Sequence, residues 1–460
     1  MPEKTYVDRG GESLDLSDEE LSGLFRGALS EALADINNAG PVIILPPDIT
    51  RYHSRAGFFT DIASCMLGGA DQNKNRLGAI LPALGTHMSM PPVEIDKMFP
   101  ASPKDKFLAH DWRNGVTELG RLEAGWMEKT CAGAVRYDWP VQVNKLLVKD
   151  SGGFSMILSI GQVVPHEVAG MANHAKNIFV GTGGKEAIDK SHFAGAACGM
   201  EKLMGRVNTP VRLMFDEGLR RYGNKLPPVL WVLTVIGARS EAEVSRLNRS
   251  AGKTLGSLAV RGLFIGFGRE CFEKAASLAR KVNVDILDEP VSKTVVYLDP
   301  EEFRTTWLGN KAVYRTRMAI ADGGELLILA PGIERFGEDL GVDALIRKYG
   351  YRPGAEIMRK AVENADLGGN LSAAAHLIHG SSEGRFTVRY CTAPEEGRGV
   401  TRKEIESAGF EWGDLREAQS RYDINKLKTG WNTLSDGEKI FFIPNPALGL
   451  WSEKGRFNSQ

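Results

Sequence analysis

The chain has 460 residues, 42% of them hydrophobic and 25% charged, which is ordinary globular composition. Its 57 basic and 58 acidic residues leave a net charge of −1, which argues against a nucleic-acid or anionic-membrane binder. The length exceeds what one hydrophobic core supports, so two or more domains are expected.

In chain order, the polar N-terminus lacks an apolar signal core. SLDLSDEELSGLFRGALSEALADI then opens with a capping serine and acidic residues ahead of an apolar periodicity, predicting a helix over 17–36. PVIILPP (41–47) is a short buried-strand pattern, with Asp48 to Arg51 at its end and a helical stretch, FFTDIASCML, after it. LGAILPALG (77–85) repeats the plan, with Thr86 and His87 at its end, and FSMILSIGQVVPH (154–166) repeats it again, with His166 at its end. VLWVLTVIG (229–237) predicts another strand, and a helix is expected over about 268–283. The pattern restarts with TVVYLD (294–299), a helical segment through Met318 and ELLILAPG (325–332). Loops are expected over 380–405 and 426–438, rich in glycine, proline and charge, and FFIPNPALGLW is expected to pack back on a domain.

Strands alternating with helices imply α/β architecture: two α/β domains with mainly parallel sheets and an active site in the cleft between them. The expected boundaries are 1–285 for the first domain, carrying the candidate site residues, 286–435 for the second, and 436–460 for a tail packing back. Ligands of open parallel sheets bind at the carboxyl ends of strands, which is where Asp48/Arg51, His87 and His166 fall.

Cys65, Cys131, Cys198, Cys271 and Cys391 are far apart and odd in number, which fits a reducing cytosol better than a disulfide or structural zinc framework. No run of about eighteen apolar residues suggests a membrane span. A soluble cytoplasmic protein is expected.

Several motifs fail on spacing. GTGGKE (181–186) has Phe179 where the phosphate-binding loop needs its first glycine, and Glu186 in place of Ser/Thr. GFGREC (266–271) has Cys271 where a dinucleotide fingerprint ends in glycine. PHEVAG would need histidine at Gly170 to be a zincin. His376 and His379 share a helix face, an arrangement expected to be structural.

What remains is PHEVAGMANHAKNIFVGTGGKEAIDKSH (165–192), which sets His166, Lys176 and His192 among glycines and small residues. Imidazole is a common metal ligand and a lysine amine can anchor a cofactor covalently. Taken singly, the same residues have ordinary readings: Lys176 and Lys311 as solvated lysines, His192 as a surface helix residue, His87 and His166 as strand-end caps, and Asp48 or Thr50 as a helix cap.

The order and spacing of His166–Lys176–His192, with GQVVPHEVAG, DITR (48–51), GTH (85–87) and Lys311 before ADGGELLILA, resembles the nickel-dependent lactate racemase family from about residue 40 to 380. The resemblance implies a nickel-pincer nucleotide (nickel pyridinium-3-thioamide-5-thiocarboxylic acid mononucleotide) attached covalently at Lys176, with His192 as the protein ligand to nickel. It implies His87 and His166 as paired acid/base groups, Asp48, Thr50 and Arg51 around cofactor and substrate, and Arg51 and Lys311 as partners of the substrate carboxylate. The implied reaction is inversion at C2 of a 2-hydroxy acid, with hydride lost to the cofactor as a histidine takes the hydroxyl proton. The implied partners are that small-molecule substrate and, transiently, the enzymes that make the cofactor. Oligomeric state is not readable.

Three departures fall where substrate should be read. Leu308, beside Trp307, stands where lactate-using members have glutamine; GMANHA with His174 replaces a GYSGG-type stretch; and no late tryptophan is evident in LGGNLSAAAHL (367–377). These favour a longer acid, such as the sugar acids called aldonates, over lactate or another short 2-hydroxy acid. A redox use of the same cofactor lacks any visible second-acceptor motif. A non-catalytic carrier or sensor would need Lys176 and His192 but neither His87 nor His166.

Overall fold

A computed structural model describes residues 3–36, 38–69, 75–85, 87–251, 256–393, 399–447 and 449–458, with backbone alone over 247–251. It divides into two units: residues 1–188 with 205–283, and residues 189–204 with 284–460. The division near 284 lies beside the expected 285, but 189–204, expected within the first domain, packs with the second unit. His192 therefore goes with unit 2.

Unit 1 is built on ten strands: β1 (Lys4–Gly10), β2 (Val42–Leu45), β3 (Leu77–Ile80), β4 (Val116–Leu122), β5 (Trp139–Asn144), β6 (Met156–Gln162), β7 (Pro165–His166), β8 (Gly170–Met171), β9 (Val229–Ala238) and β10 (Leu258–Phe267). Six of them form the main sheet in the order β1-β10-β9-β6-β2-β3. The run β9-β6-β2-β3 is parallel, whereas β10 and β1 add on antiparallel. The parallel strands are apolar runs buried along nearly their whole length, as strands covered on both faces must be.

Local chemistry explains the helices on one face of this sheet. Ser17 accepts from the Glu20 amide and Glu20 reaches back to the Ser17 amide, a capping box that starts the helix Asp18–Asp35. That helix and the helix Ala56–Leu67 bury an edge-on pair, Phe25 and Phe59, with ring centres 5.1 Å apart. Each of these fully buried rings contributes roughly 2–3 kcal/mol of transfer free energy. Trp139, Phe179 and Phe215 form a second buried aromatic group in the unit.

Unit 2 is built on β11 (Val284–Leu287), β12 (Val291–Tyr297), β13 (Ile320–Leu329), β14 (Thr387–Thr392), β15 (Glu411–Asp414), β16 (Gly430–Thr433), β17 (Lys439–Ile443) and β18 (Leu450–Glu453). Its main sheet runs β15-β14-β13-β12-β17-β16, parallel except for β16 on β17. Three sequence expectations need correction here. The 380–405 stretch holds β14 and the helix Arg402–Ser407, with 394–398 outside the described residues. The 426–438 stretch holds β16. Residues 436–460 are no tail: β17 lies inside the sheet beside β12, because the FFI of FFIPNPALGLW is buried strand, and β18 pairs with β11. No helix among the described residues is long and apolar enough to cross a membrane.

Candidate active site

Three neighbouring parallel strands of unit 1 deliver the candidate residues. β2 stops at Pro46–Pro47, which have no N–H to continue the ladder, and Asp48 follows. Asp48 caps the short 3₁₀ helix Ile49–Ser54: its Oδ1 accepts the Thr50 amide at 3.1 Å and the Thr50 hydroxyl at 2.5 Å. The helix-entry turn and the site are thus the same structure. Arg51 sits at a kink within it, with φ −114° and ψ 29°.

β3 ends at Ile80 and the chain continues to His87, with Thr86 outside the described residues. His87 Nδ1 comes within 2.5 Å of Asp48 Oδ2. Burial raises the Asp48 pKa, but the His87 ring, its hydrogen bond, Thr50 and Arg51 together outweigh it and hold the carboxyl at about 2. Sequence reading placed Asp48 around the cofactor; the structure shows both its oxygens occupied, one by Thr50 and one by His87.

β6 leads into a short hairpin with two-residue strands, in which Pro165 pairs with Met171 and His166 with Gly170. His166 is buried, and its Nδ1 accepts the amides of Val168 at 3.1 Å and Ala169 at 3.4 Å. The HEVAG stretch being a turn rather than a helix, it has no helical face for a zincin pair.

Lys176 opens a π-helical turn, Asn177–Gly181, a geometry often found at functional sites. Burial pushes the Lys176 amine down to about 8; Arg51 and Arg212 push the same way, against Glu167 and Asp48. Asp48, Arg51, Glu167 and Lys176 therefore share one electrostatic neighbourhood.

Ahead of Lys176, Asn173 and His174 both adopt left-handed backbone, at φ +70° and +57°. Such strain in non-glycine residues needs support from its surroundings. Arg212, fully buried and unforeseen from sequence, donates to the Asn173 and Met171 carbonyls at 3.1 and 2.5 Å. The His174 ring packs against Trp231 and Phe272, with centres 4.4 and 5.0 Å away, and its Nε2 meets the Gly268 carbonyl at 3.3 Å. Burial drives its pKa well below the usual imidazole value. His174 is thus packed among aromatic rings.

In unit 2, His192 lies on the helix Lys185–Cys198, with Ser191 Oγ 3.4 Å from its Nδ1. The preceding Asp189 accepts a hydrogen bond from Ser372 at 2.6 Å. Lys311 begins the helix Lys311–Thr316, its amine 5.6 Å from the Phe303 ring centre. Leu308 packs on the unit 2 core, and Trp307 stacks on His376 at 4.2 Å. His376 in turn meets the Tyr351 hydroxyl at 3.0 Å, and both His376 and His379 are buried, in keeping with a structural role. Among the described residues no three His, Cys, Asp or Glu side chains cluster as a metal site.

Residues 27–203 match the family model for the lactate racemase N-terminal domain. Over that stretch the chain is similar to the lactate racemase family. Asp48, Thr50, Arg51, His87, His166, Lys176 and His192 all fall inside the matched stretch of this lactate racemase homologue, and Lys311 falls outside it. Its fold resembles a crystal structure of a Thermotoga maritima protein, a structural-genomics target, with TM-score 0.73 and 23% identity over 97% of this chain and 100% of that one. It also resembles the lactate racemase apoprotein from Thermoanaerobacterium thermosaccharolyticum, with TM-score 0.65 and 16% identity over 98% of this chain and 100% of that one. No curated protein matches the chain in sequence.

Proposed function

We propose that this lactate racemase homologue is an isomerase that inverts C2 of a 2-hydroxy acid, using a nickel-pincer nucleotide. The observation that carries the reading is the cluster at the carboxyl ends of β2, β3 and β6: a carboxylate–imidazole pair beside a lysine whose amine is held at about 8.

The residues fit the cofactor. Lys176 would be the tether, since an amine near 8 is partly neutral at working pH and so available as a nucleophile. His192 would be the protein ligand to nickel. When bound, the cofactor supplies an electron-poor acceptor for the hydrogen leaving C2 with its electron pair. The chain's own side chains do the rest. His87 takes the hydroxyl proton, and Asp48 balances the charge that forms on its ring. Arg51 offers a two-pronged partner to the substrate carboxylate, and Lys311 a point charge. His166 stands at the same carboxyl end of the sheet for the second contact to the substrate oxygen.

Within the class, a longer acid is proposed, sugar acids such as aldonates among them, because Leu308 replaces the glutamine of lactate-using members. The test is a panel of 2-hydroxy acids, lactate to aldonates, incubated in deuterated water with the cofactor-loaded protein made in a host that supplies the cofactor pathway. Inversion with the C2 hydrogen retained is expected. Solvent deuterium at C2 would overturn hydride transfer, and no inversion of any acid by protein carrying an adduct on Lys176 would overturn the racemase reading.

A further inference from the structure

The two site imidazoles meet opposite kinds of partner at Nδ1. His87 Nδ1 faces Asp48 Oδ2 at 2.5 Å. An ionised carboxylate can only accept, so His87 carries its proton on Nδ1 and the lone pair of the neutral ring lies on Nε2. His166 Nδ1 faces the backbone N–H groups of Val168 at 3.1 Å and Ala169 at 3.4 Å. Backbone amides can only donate, so this Nδ1 is the lone pair and the neutral ring's proton lies on Nε2.

The hairpin enforces the second arrangement. With His166 paired to Gly170 and Pro165 to Met171, residues 167–169 must turn back over the ring, and their amides arrive at Nδ1 whatever the substrate. The Glu167 carboxylate also faces this atom, but at 3.9 Å it stands farther off than either amide. Putting a proton on Nδ1 would set it against two N–H groups and cost both hydrogen bonds.

We infer that the two histidines are not an interchangeable acid/base pair: His87, with Asp48, moves the proton through Nε2, and His166 stays neutral and donates its Nε2–H to the substrate oxygen. This rests on the racemase reading above and divides the labour within it. The hydroxyl O–H bond breaks as the His87 Nε2–H bond forms, and the positive ring is balanced by Asp48. On the return, the same Nε2 gives the proton back to oxygen. The oxygen thus keeps both partners while the rest of the substrate turns about the C2–O axis to offer its other face. Asp48 acts here as a positioning residue that fixes the His87 tautomer.

The test is tautomer assignment by long-range proton–nitrogen correlation NMR on the full chain labelled with nitrogen-15 histidine, at about pH 8, with His87→Gln and His166→Gln used to assign the two rings. The expected result is an Nδ1–H pattern for His87 and an Nε2–H pattern for His166. An Nδ1–H pattern at His166, or an Nε2–H pattern at His87, overturns the inference and leaves the racemase reading standing. In the loaded enzyme, His166→Gln keeps an amide donor and is expected to lose about 10-fold to 100-fold in kcat, against roughly 10³-fold or more for His87→Gln. Equal losses in the two variants also overturn it. If no acid is inverted, the racemase reading fails, while the tautomers still decide the proton placement.

Discussion

Asp48 touches Thr50 with one carboxylate oxygen and His87 with the other, so a single side chain caps the 3₁₀ turn after β2 and orients the ring after β3. Changing Asp48 to Asn separates the two jobs. Asparagine caps nearly as well as aspartate, so the melting temperature is expected to move little. It cannot balance a positive His87 ring, and its amide hydrogens favour the wrong tautomer. A kcat loss of roughly 10²–10⁴-fold with KM nearly unchanged is expected in steady-state assays. A large rise in KM with kcat preserved would instead place Asp48 on the substrate.

Lys176 titrates low in the folded chain, at about 8 against an ordinary 10.5. Between those values the unfolded chain binds the proton and the folded chain does not, so stability rises with pH across that window. Below about pH 8 the full cost of a buried ammonium is present. The shift corresponds to a ceiling of about 3 kcal/mol, and the side chain's partial exposure reduces it to roughly 1–2 kcal/mol. Lys176→Met in the cofactor-free chain should therefore be more stable than wild type at pH 7 by denaturant titration, with the advantage gone near pH 10.5. A destabilised variant at pH 7 would mean that the ammonium is well solvated.

The strands leading to the candidate site were legible because they are plain apolar runs, VIIL ahead of Pro46–Pro47 and Asp48, and MILSIGQ ahead of the VVPH segment. β10 was not legible, since Arg261 interrupts its apolar run and its glycines imitate a nucleotide loop. The fold satisfies that arginine internally, through Glu243 at 2.8 Å and the carbonyls of Leu14 and Ala238. The transfer of 189–204 to unit 2 was equally hidden, because the helix Lys185–Cys198 runs unbroken through the division and carries no sequence boundary. Contacts made at long range, such as Arg212 on the strained Asn173–His174 turn, leave no local signature at all.

His174 is buried between aromatic rings and kept neutral there. The unfolded chain takes up a proton below about pH 6.5 that the folded ring refuses, so stability must fall as pH drops below that value, by up to about 1.4 kcal/mol per pH unit. His174→Phe keeps the stacking and cannot titrate. Urea titrations at about pH 7.5 and 5.5 should show wild type losing more stability between the two than the variant does. The same loss in both proteins would place the acid sensitivity elsewhere.

The glycines of GTGGKE provide the last test. A Cβ on Gly183 would lie 2.0 Å from the Phe179 carbonyl oxygen, inside the π-helical turn that Lys176 opens, so glycine is required there by close backbone approach. A phosphate cradle would need glycine for a different reason, to let a ligand near the backbone, and alanine would then spare the fold. Gly183→Ala is expected to lose roughly 2–4 kcal/mol in denaturant titration of the cofactor-free chain, since backbone must move to admit the methyl group. Gly125, on the helix Ala124–Thr130 with open space around its Cβ position, is the control: alanine there should stabilise by up to about 1 kcal/mol. A Gly183→Ala chain as stable as wild type would show that the π-helical turn yields, and would revive a ligand-binding role for the loop.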